Sequence, residues 1–208
     1  MLKNKEKIKE IRKKSDQFVV VCGPSGSGKT MVIKHLVDNY GFLEPSFFTT
    51  RELRSGEKEI GGTYLNHDEF MEKAMDGEVF LGARNYGNAY GYDLDKIFKN
   101  IMDGSNVVVE APSSILITDV SYFLPQSTIL GIIPLTSEEV GVQLNERALN
   151  NKKDLTIRLL NSEIEKEYIV YCCGLIDIIP ILPTHGMPKN TLFQVDRLMD
   201  KKGFKKTK

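Results

Sequence analysis

Only three cysteines occur among the 208 residues of this chain. Cys172 and Cys173 are adjacent and cannot easily bridge each other, and Cys22 stands in an apolar run, so no disulfide framework or zinc spacing follows. A reducing compartment is the natural reading. Net charge is also lacking, because 28 Lys+Arg face 28 Asp+Glu. A dedicated nucleic-acid binder needs a basic excess to displace counterions, so that class is set aside. No apolar stretch approaches the length needed to span a bilayer, and the N-terminus has no apolar h-region. The expectation is a cytoplasmic protein with no membrane partner. There is no internal repeat and no low-complexity linker, and His35, His67 and His185 lack partners in sequence, so they are assigned no chemistry.

What is present is ordinary for a globular domain: 41% hydrophobic and 27% charged residues in a length that suits one domain. Both ends are basic. Residues 1–15 read as a solvated basic helix and 201–208 as a frayed basic tail. Between them, apolar runs at Phe18–Cys22, Asn106–Glu110, Thr128–Ile133 and Ile176–Leu182 read as strands. Helices are expected over 29–39, 65–75, 93–102 and 190–201, with a long, interrupted helical region from Ser137 to Tyr171. Alternation of this kind predicts an α/β sandwich around a mostly parallel sheet. The stretch 46–92, rich in glycine, tyrosine and arginine, reads as an inserted, partly β lobe. Cys22 is expected to be a buried small hydrophobe, and Tyr168 and Tyr171 packing residues.

Gly23-Pro24-Ser25-Gly26-Ser27-Gly28-Lys29-Thr30 is a complete G-x-x-x-x-G-K-[ST] pattern between a strand and a helix. Its glycines let backbone N–H groups turn onto an anion, and the helix N-terminus adds partial positive charge. Lys29 is placed to reach the β- and γ-phosphates of ATP, and the Thr30 hydroxyl to ligate Mg²⁺. The dinucleotide fingerprint fails, since Met31 stands where its third glycine belongs. Ahead of the lobe's glycines, Arg51 and Arg54 followed by Tyr64 suit a small dianion, with a solvated charged loop as the equal alternative on that stretch alone.

With GPSGSGKT, then TTRELRSGE, NHDEF and GNAYG in this order, and Arg147 and Arg158 further on, the chain resembles the guanylate kinase family from about Phe18 to Leu198. The resemblance implies a P-loop core (17–45, 93–135 and 159–200), a monophosphate-binding lobe (46–92) and a lid (136–158). It implies that Arg51, Arg54, Tyr64 and Tyr90 hold the acceptor's phosphate, and that Arg147 and Arg158 cover the transferring phosphoryl group. Glu110, at the end of a core strand, is a candidate to hold Mg²⁺ through water. The partners implied are ATP and a nucleoside monophosphate, for a monomer or homodimer, with GMP or dGMP as the first acceptor to consider.

Departures fall where the family reads guanine. Gly82 stands for the acidic residue, Tyr92 for a small hydroxyl residue and Pro112 for the second of two acidic residues after the strand ending in Glu110. A charge-assisted hydrogen bond contributes roughly 1.5–3 kcal/mol, so losing two or three can abolish guanine preference while the phosphate grip survives. Tyr92 either stacks on a base or fills the pocket, and Glu78, Asn85 or Asn88 are candidate substitutes. The alternatives are a changed acceptor, a non-catalytic binding module, and an ATP-binding regulator. Retention of Lys29, Arg147 and Arg158 speaks against the module.

Overall fold

The computed structural model describes residues 4–53, 61–85, 87–134, 152–183 and 187–207, with side chains from 159 onward in the fourth stretch. The chain forms two compact units, Met1–Val19 with Phe42–Ser127, and Val20–Gly41 with Thr128–Lys208.

The first unit opens with helix α1 (Lys5–Lys13). It is shorter than the basic pattern suggests, and it is not simply solvated. Ile11 has no exposed surface, Lys7 pairs with Asp95, and Arg12 donates to the Tyr122 carbonyl. Docking of this kind is invisible to a charge pattern, because one buried isoleucine among lysines sets the inner face. Strand β1 (Phe18–Cys22), apolar throughout and buried at every position, begins in this unit and has Val20, Val21 and Cys22 in the second.

The unit's lobe sheet consists of β2 (Phe47–Thr49), β3 (Gly62–Tyr64), β4 (Val79–Asn85) and β5 (Asn88–Asp93), in the order β3-β2-β5-β4. β2 and β3 run parallel, and the other pairs are antiparallel. One face packs on α3 (His67–Met75) through Phe48, Phe70 and Ala89, with Leu65 and Val79 against them. α3 starts at a capping box, in which the Asn66 side chain accepts from Glu69 N at 2.9 Å and the Glu69 carboxylate from Asn66 N at 2.8 Å. Helix α4 (Leu94–Met102) buries Leu94, Ile97 and Ile101 at helical spacing and is capped by Asp93. Strand β6 (Val107–Glu110) follows, with Leu43 bridging to Val107 in parallel. The segment Ser113–Phe123 forms helical turns, ending in the short α5 (Ser121–Phe123), which no periodicity in the sequence sets apart.

The second unit holds α2 (Lys29–Tyr40), β7 (Thr128–Ile132), α6 (Lys152–Cys173), β8 (Ile178–Ile181) and α7 (Pro188–Lys202). β7 and β8 are parallel, with Gly131 opposite Pro180. A proline has no N–H for a further ladder, which suits the edge strand that β8 is. A side chain on Gly131 would come within 2.9 Å of Ile178 Cγ2 and 3.2 Å of Ile169 Cγ2, so this glycine is what lets helix and strand close on the sheet. The mostly parallel α/β architecture expected from the alternation is thus the one observed. Cys22 is buried and reaches the Leu130 carbonyl.

Two expectations change in this unit. Tyr171 is 62% exposed, its ring lying against Tyr168 and not in a core. The basic C-terminus, far from frayed, returns to the end of α2. Phe204 N donates to Met199 O at 2.9 Å beyond the left-handed Gly203, and Thr207 N donates to Asn39 O at 2.8 Å. Asp196 on α7 is the hub of this return. It accepts from Tyr40 Oη at 2.8 Å and Lys206 Nζ at 2.9 Å, and it pairs with His35 Nε2 at 2.7 Å. The Asn39 amide sits 3.2 Å from His35 Nδ1 and donates to the His35 carbonyl, which leaves Nε2 to carry the proton given to Asp196.

Candidate active site

The phosphate loop follows from the chain's local sequence. β1 delivers the backbone into Gly23, where a side chain would meet Ser27 Oγ at 2.6 Å and the Ile132 carbonyl at 2.7 Å. Gly28 stands at φ 95° as the N-cap of α2, a conformation that any Cβ would strain. Between them Ser27 N donates to Pro24 O at 3.1 Å, closing the turn. Lys29 arches back over the loop, its Nζ donating to Gly23 O at 2.8 Å and Pro24 O at 3.0 Å. The loop therefore presents a cation above a ring of backbone at a helix N-terminus, the arrangement an oligophosphate needs.

The buried Ser27 Oγ has no hydrogen-bond partner among the described residues, and the Thr30 hydroxyl is on an exposed residue at the start of α2. A hydroxyl and a strand-end carboxylate such as Glu110, also exposed, are hard oxygen donors of the kind Mg²⁺ takes. Among the described residues no group of three or more His, Cys, Asp or Glu gathers as a ready-made metal cage.

In the lobe, register brings three predicted acceptor residues together. Tyr64 and Tyr90 flank Thr49 across β3-β2-β5, and Arg51 lies two residues beyond Thr49. The Arg51 guanidinium lies 5.9 Å from the Tyr64 ring centroid and donates to the Glu52 carbonyl, while its backbone N donates to Thr49 Oγ1 at 3.1 Å. Thr50 ties this end of β2 to β5, its Oγ1 accepting from Ala89 N at 2.8 Å. Arg54 and Arg147 lie outside the described residues. For Arg158 the structure gives the backbone, in α6, and not the side chain.

Gly82 is exposed, within the register shift between Phe80 and Ala83, next to Leu81 at φ 51°. Pro112 is extended, at φ −60° and ψ 145°, and leads into the turn at Ser113. Tyr92, 8% exposed, fills the space and does not stand free to stack. Its hydroxyl donates to the Glu110 carbonyl at 3.0 Å and accepts from the Glu110 N–H at 2.7 Å. Burial, and then the Glu110 carboxylate, push the phenol's pKa far above its ordinary value, so it stays a neutral clip. Sequence reasoning left both roles open for Tyr92. Its partner is the main chain of a residue 18 positions away, which leaves no local signature.

A glycine-rich loop of this geometry between a buried strand and a helix, with a lysine arched over it, defines an α/β protein of the P-loop class. No family model matches the chain. By sequence it is similar to the guanylate kinase of Clostridium acetobutylicum, 31% identical over 160 residues that span 75% of each chain. It is also similar to that of Caldanaerobacter subterraneus, 26% identical over 159 residues, 76% of this chain and 77% of the relative. By structure it matches the crystal structure of guanylate kinase from Anaplasma phagocytophilum, with TM-score 0.64 and 20% identity, across 91% of this chain and 89% of that one. The chain belongs to the guanylate kinase family.

Proposed function

We propose that the protein transfers the γ-phosphoryl group of ATP to a nucleoside monophosphate, with GMP or dGMP as the leading acceptor, giving the diphosphate and ADP. The observation that carries this reading is the row formed by Tyr64, Thr49 and Tyr90 beside Arg51, in a family member whose phosphate loop is complete. One grip suits ATP and the other a monoester dianion.

In the reaction a phosphate oxygen of the acceptor attacks the γ-phosphorus, the bond to the β,γ-bridging oxygen breaks, and ADP leaves with that electron pair. There is little covalent work for the protein, so its residues position and neutralise. Lys29 exchanges its two carbonyl acceptors for β- and γ-phosphate oxygens, which are stronger because they are charged. Arg51 and Arg54 orient the acceptor phosphate with the Tyr64 and Tyr90 hydroxyls. Arg147 and Arg158 cover the transferring group and exclude water as a competing acceptor. Thr30 would hold Mg²⁺, with Glu110 the candidate to hold it through water, and the ion would supply charge neutralisation to the phosphates.

The partners in this reading are ATP and the monophosphate, for a chain acting as monomer or homodimer in the cytoplasm. Three cysteines without a disulfide fit that setting, and no described helix is long and apolar enough to cross a membrane. A changed acceptor is the second reading, favoured by the filled position of Tyr92.

The test is ADP release from ATP and Mg²⁺ against a panel of ribo- and deoxynucleoside monophosphates. Stimulation by GMP or dGMP supports the reading. ATP binding with no stimulation by any acceptor would replace it with that of a binding module.

A further inference from the structure

The lobe sheet has an inner and an outer face. Phe48 and Ala89 turn to the α3 side and pack with Phe70. Alternation along the strands therefore puts Phe47, Thr49, Tyr90 and Tyr92 on the opposite face. Register arranges them there in two rows, about 7 Å apart for a step of two residues. The first, Tyr64–Thr49–Tyr90, adjoins Arg51 and carries the phenol hydroxyls. The second is Gly62–Phe47–Tyr92, continued by Phe80 on β4.

A nucleoside attached to a phosphate at the first row, and lying along this face, meets the second. That row has almost nothing with which to read a base edge. Gly62 has no side chain, Phe47 and Phe80 have no polar atom, and Phe80 is 3% exposed. The Tyr92 hydroxyl is engaged as donor and acceptor by the Glu110 main chain. What the row does offer is a ring. A Cβ on Gly62 would fall 2.4 Å from Phe47 Cζ and 2.6 Å from Cε2, so the ring leans across β3 into the space this glycine leaves. Phe47 is only half-buried there.

We infer that the acceptor's base is held by stacking on Phe47 and not by recognition of its hydrogen-bonding edge, so that the enzyme accepts purine monophosphates with little discrimination between them. This rests on the monophosphate kinase reading above and deepens it. Every base has a π-face, so a stacking platform is tolerant of base identity, whereas a site built of buried hydrogen-bonding groups rejects a mismatched partner by a factor of about 10⁴–10⁵. Tyr92 serves the platform as its closed floor. Its hydroxyl, fastened to Glu110, supplies no edge contact.

The experiment compares kcat/KM for GMP, IMP, AMP, UMP and the base-free acceptor ribose 5-phosphate in the wild type, Phe47→Leu and Phe47→Trp. GMP, IMP and AMP are expected within about tenfold of one another, with UMP below them and ribose 5-phosphate weaker by on the order of a hundredfold. Phe47→Leu keeps an apolar side chain and removes the π-face. It should shrink the purine advantage over ribose 5-phosphate by roughly tenfold, through KM of the monophosphate more than through kcat, and Phe47→Trp should restore it. Comparing ratios within each variant cancels any loss of folded protein. A preference for GMP over AMP above about a thousandfold, unmoved by Phe47→Leu, would overturn the inference and leave the kinase reading standing. No transfer to any of the five acceptors would overturn both.

Discussion

Lys29 donates to the carbonyls of its own loop, Gly23 and Pro24, and so waits above the backbone that a triphosphate would occupy. On the proposed reading, Lys29→Ala removes the cation that follows the charge during transfer. kcat should fall by on the order of 10²–10³ with any acceptor, measured by steady-state ADP release. Gly23→Ala works differently, because its Cβ would meet the Ile132 carbonyl, a backbone atom that cannot easily retreat. The expected result is loss of ATP binding in a titration by calorimetry. The loop's strand-turn-helix geometry was legible because eight consecutive residues carry it. Tyr92 was legible only as a departure. Whether it stacked or filled depended on Glu110, whose strand lies beyond a whole helix in sequence. Tyr92→Phe leaves the Glu110 N–H and carbonyl without that partner and should cost about 1–2 kcal/mol in chemical denaturation.

Among the elements, the long apolar runs and the capped helices were readable from pattern. Asn66 and Asp93 announce α3 and α4 through cap chemistry that needs only neighbours in sequence. The C-terminal return was not readable, because Thr207 and Asn39 are 168 residues apart and Asp196 and His35 are 161 apart. A lysine-rich tail with no apolar anchor looks free until its acceptors are known. Asp196→Asn weakens three hydrogen bonds at once and should cost about 2 kcal/mol, a fall of roughly 4–8 °C in Tm. Burial raises the Asp196 carboxyl's pKa, and the bonds from Lys206, His35 and Tyr40 more than reverse this, so its folded value is lowered. A lowered folded value means that the carboxylate's stabilisation is present above the unfolded value of about 3.9 and is lost as pH falls through the folded one. Thermal melts of wild type and Asp196→Asn should therefore stay apart at neutral pH and converge progressively as pH falls from about 4 through the lowered folded value.

At the scale of the molecule, a family resemblance carried by ordered motifs agrees with relatives 26–31% identical over about three quarters of the chain. Most of the predicted site residues lie in the described part of the chain, the loop with Lys29 in one unit and Arg51 with Tyr64 and Tyr90 in the other. Arg54 and Arg147 fall outside the described residues, and so does the Arg158 side chain. The proposed reaction is a claim about transfer more than about binding. Phosphorus-31 NMR of ATP, Mg²⁺ and GMP with the protein follows every phosphorus at once. The account predicts that ATP resonances give way to those of ADP and GDP in equal amounts, with no orthophosphate. Orthophosphate as the sole product, or an unchanged spectrum under conditions where ATP is bound, would contradict it.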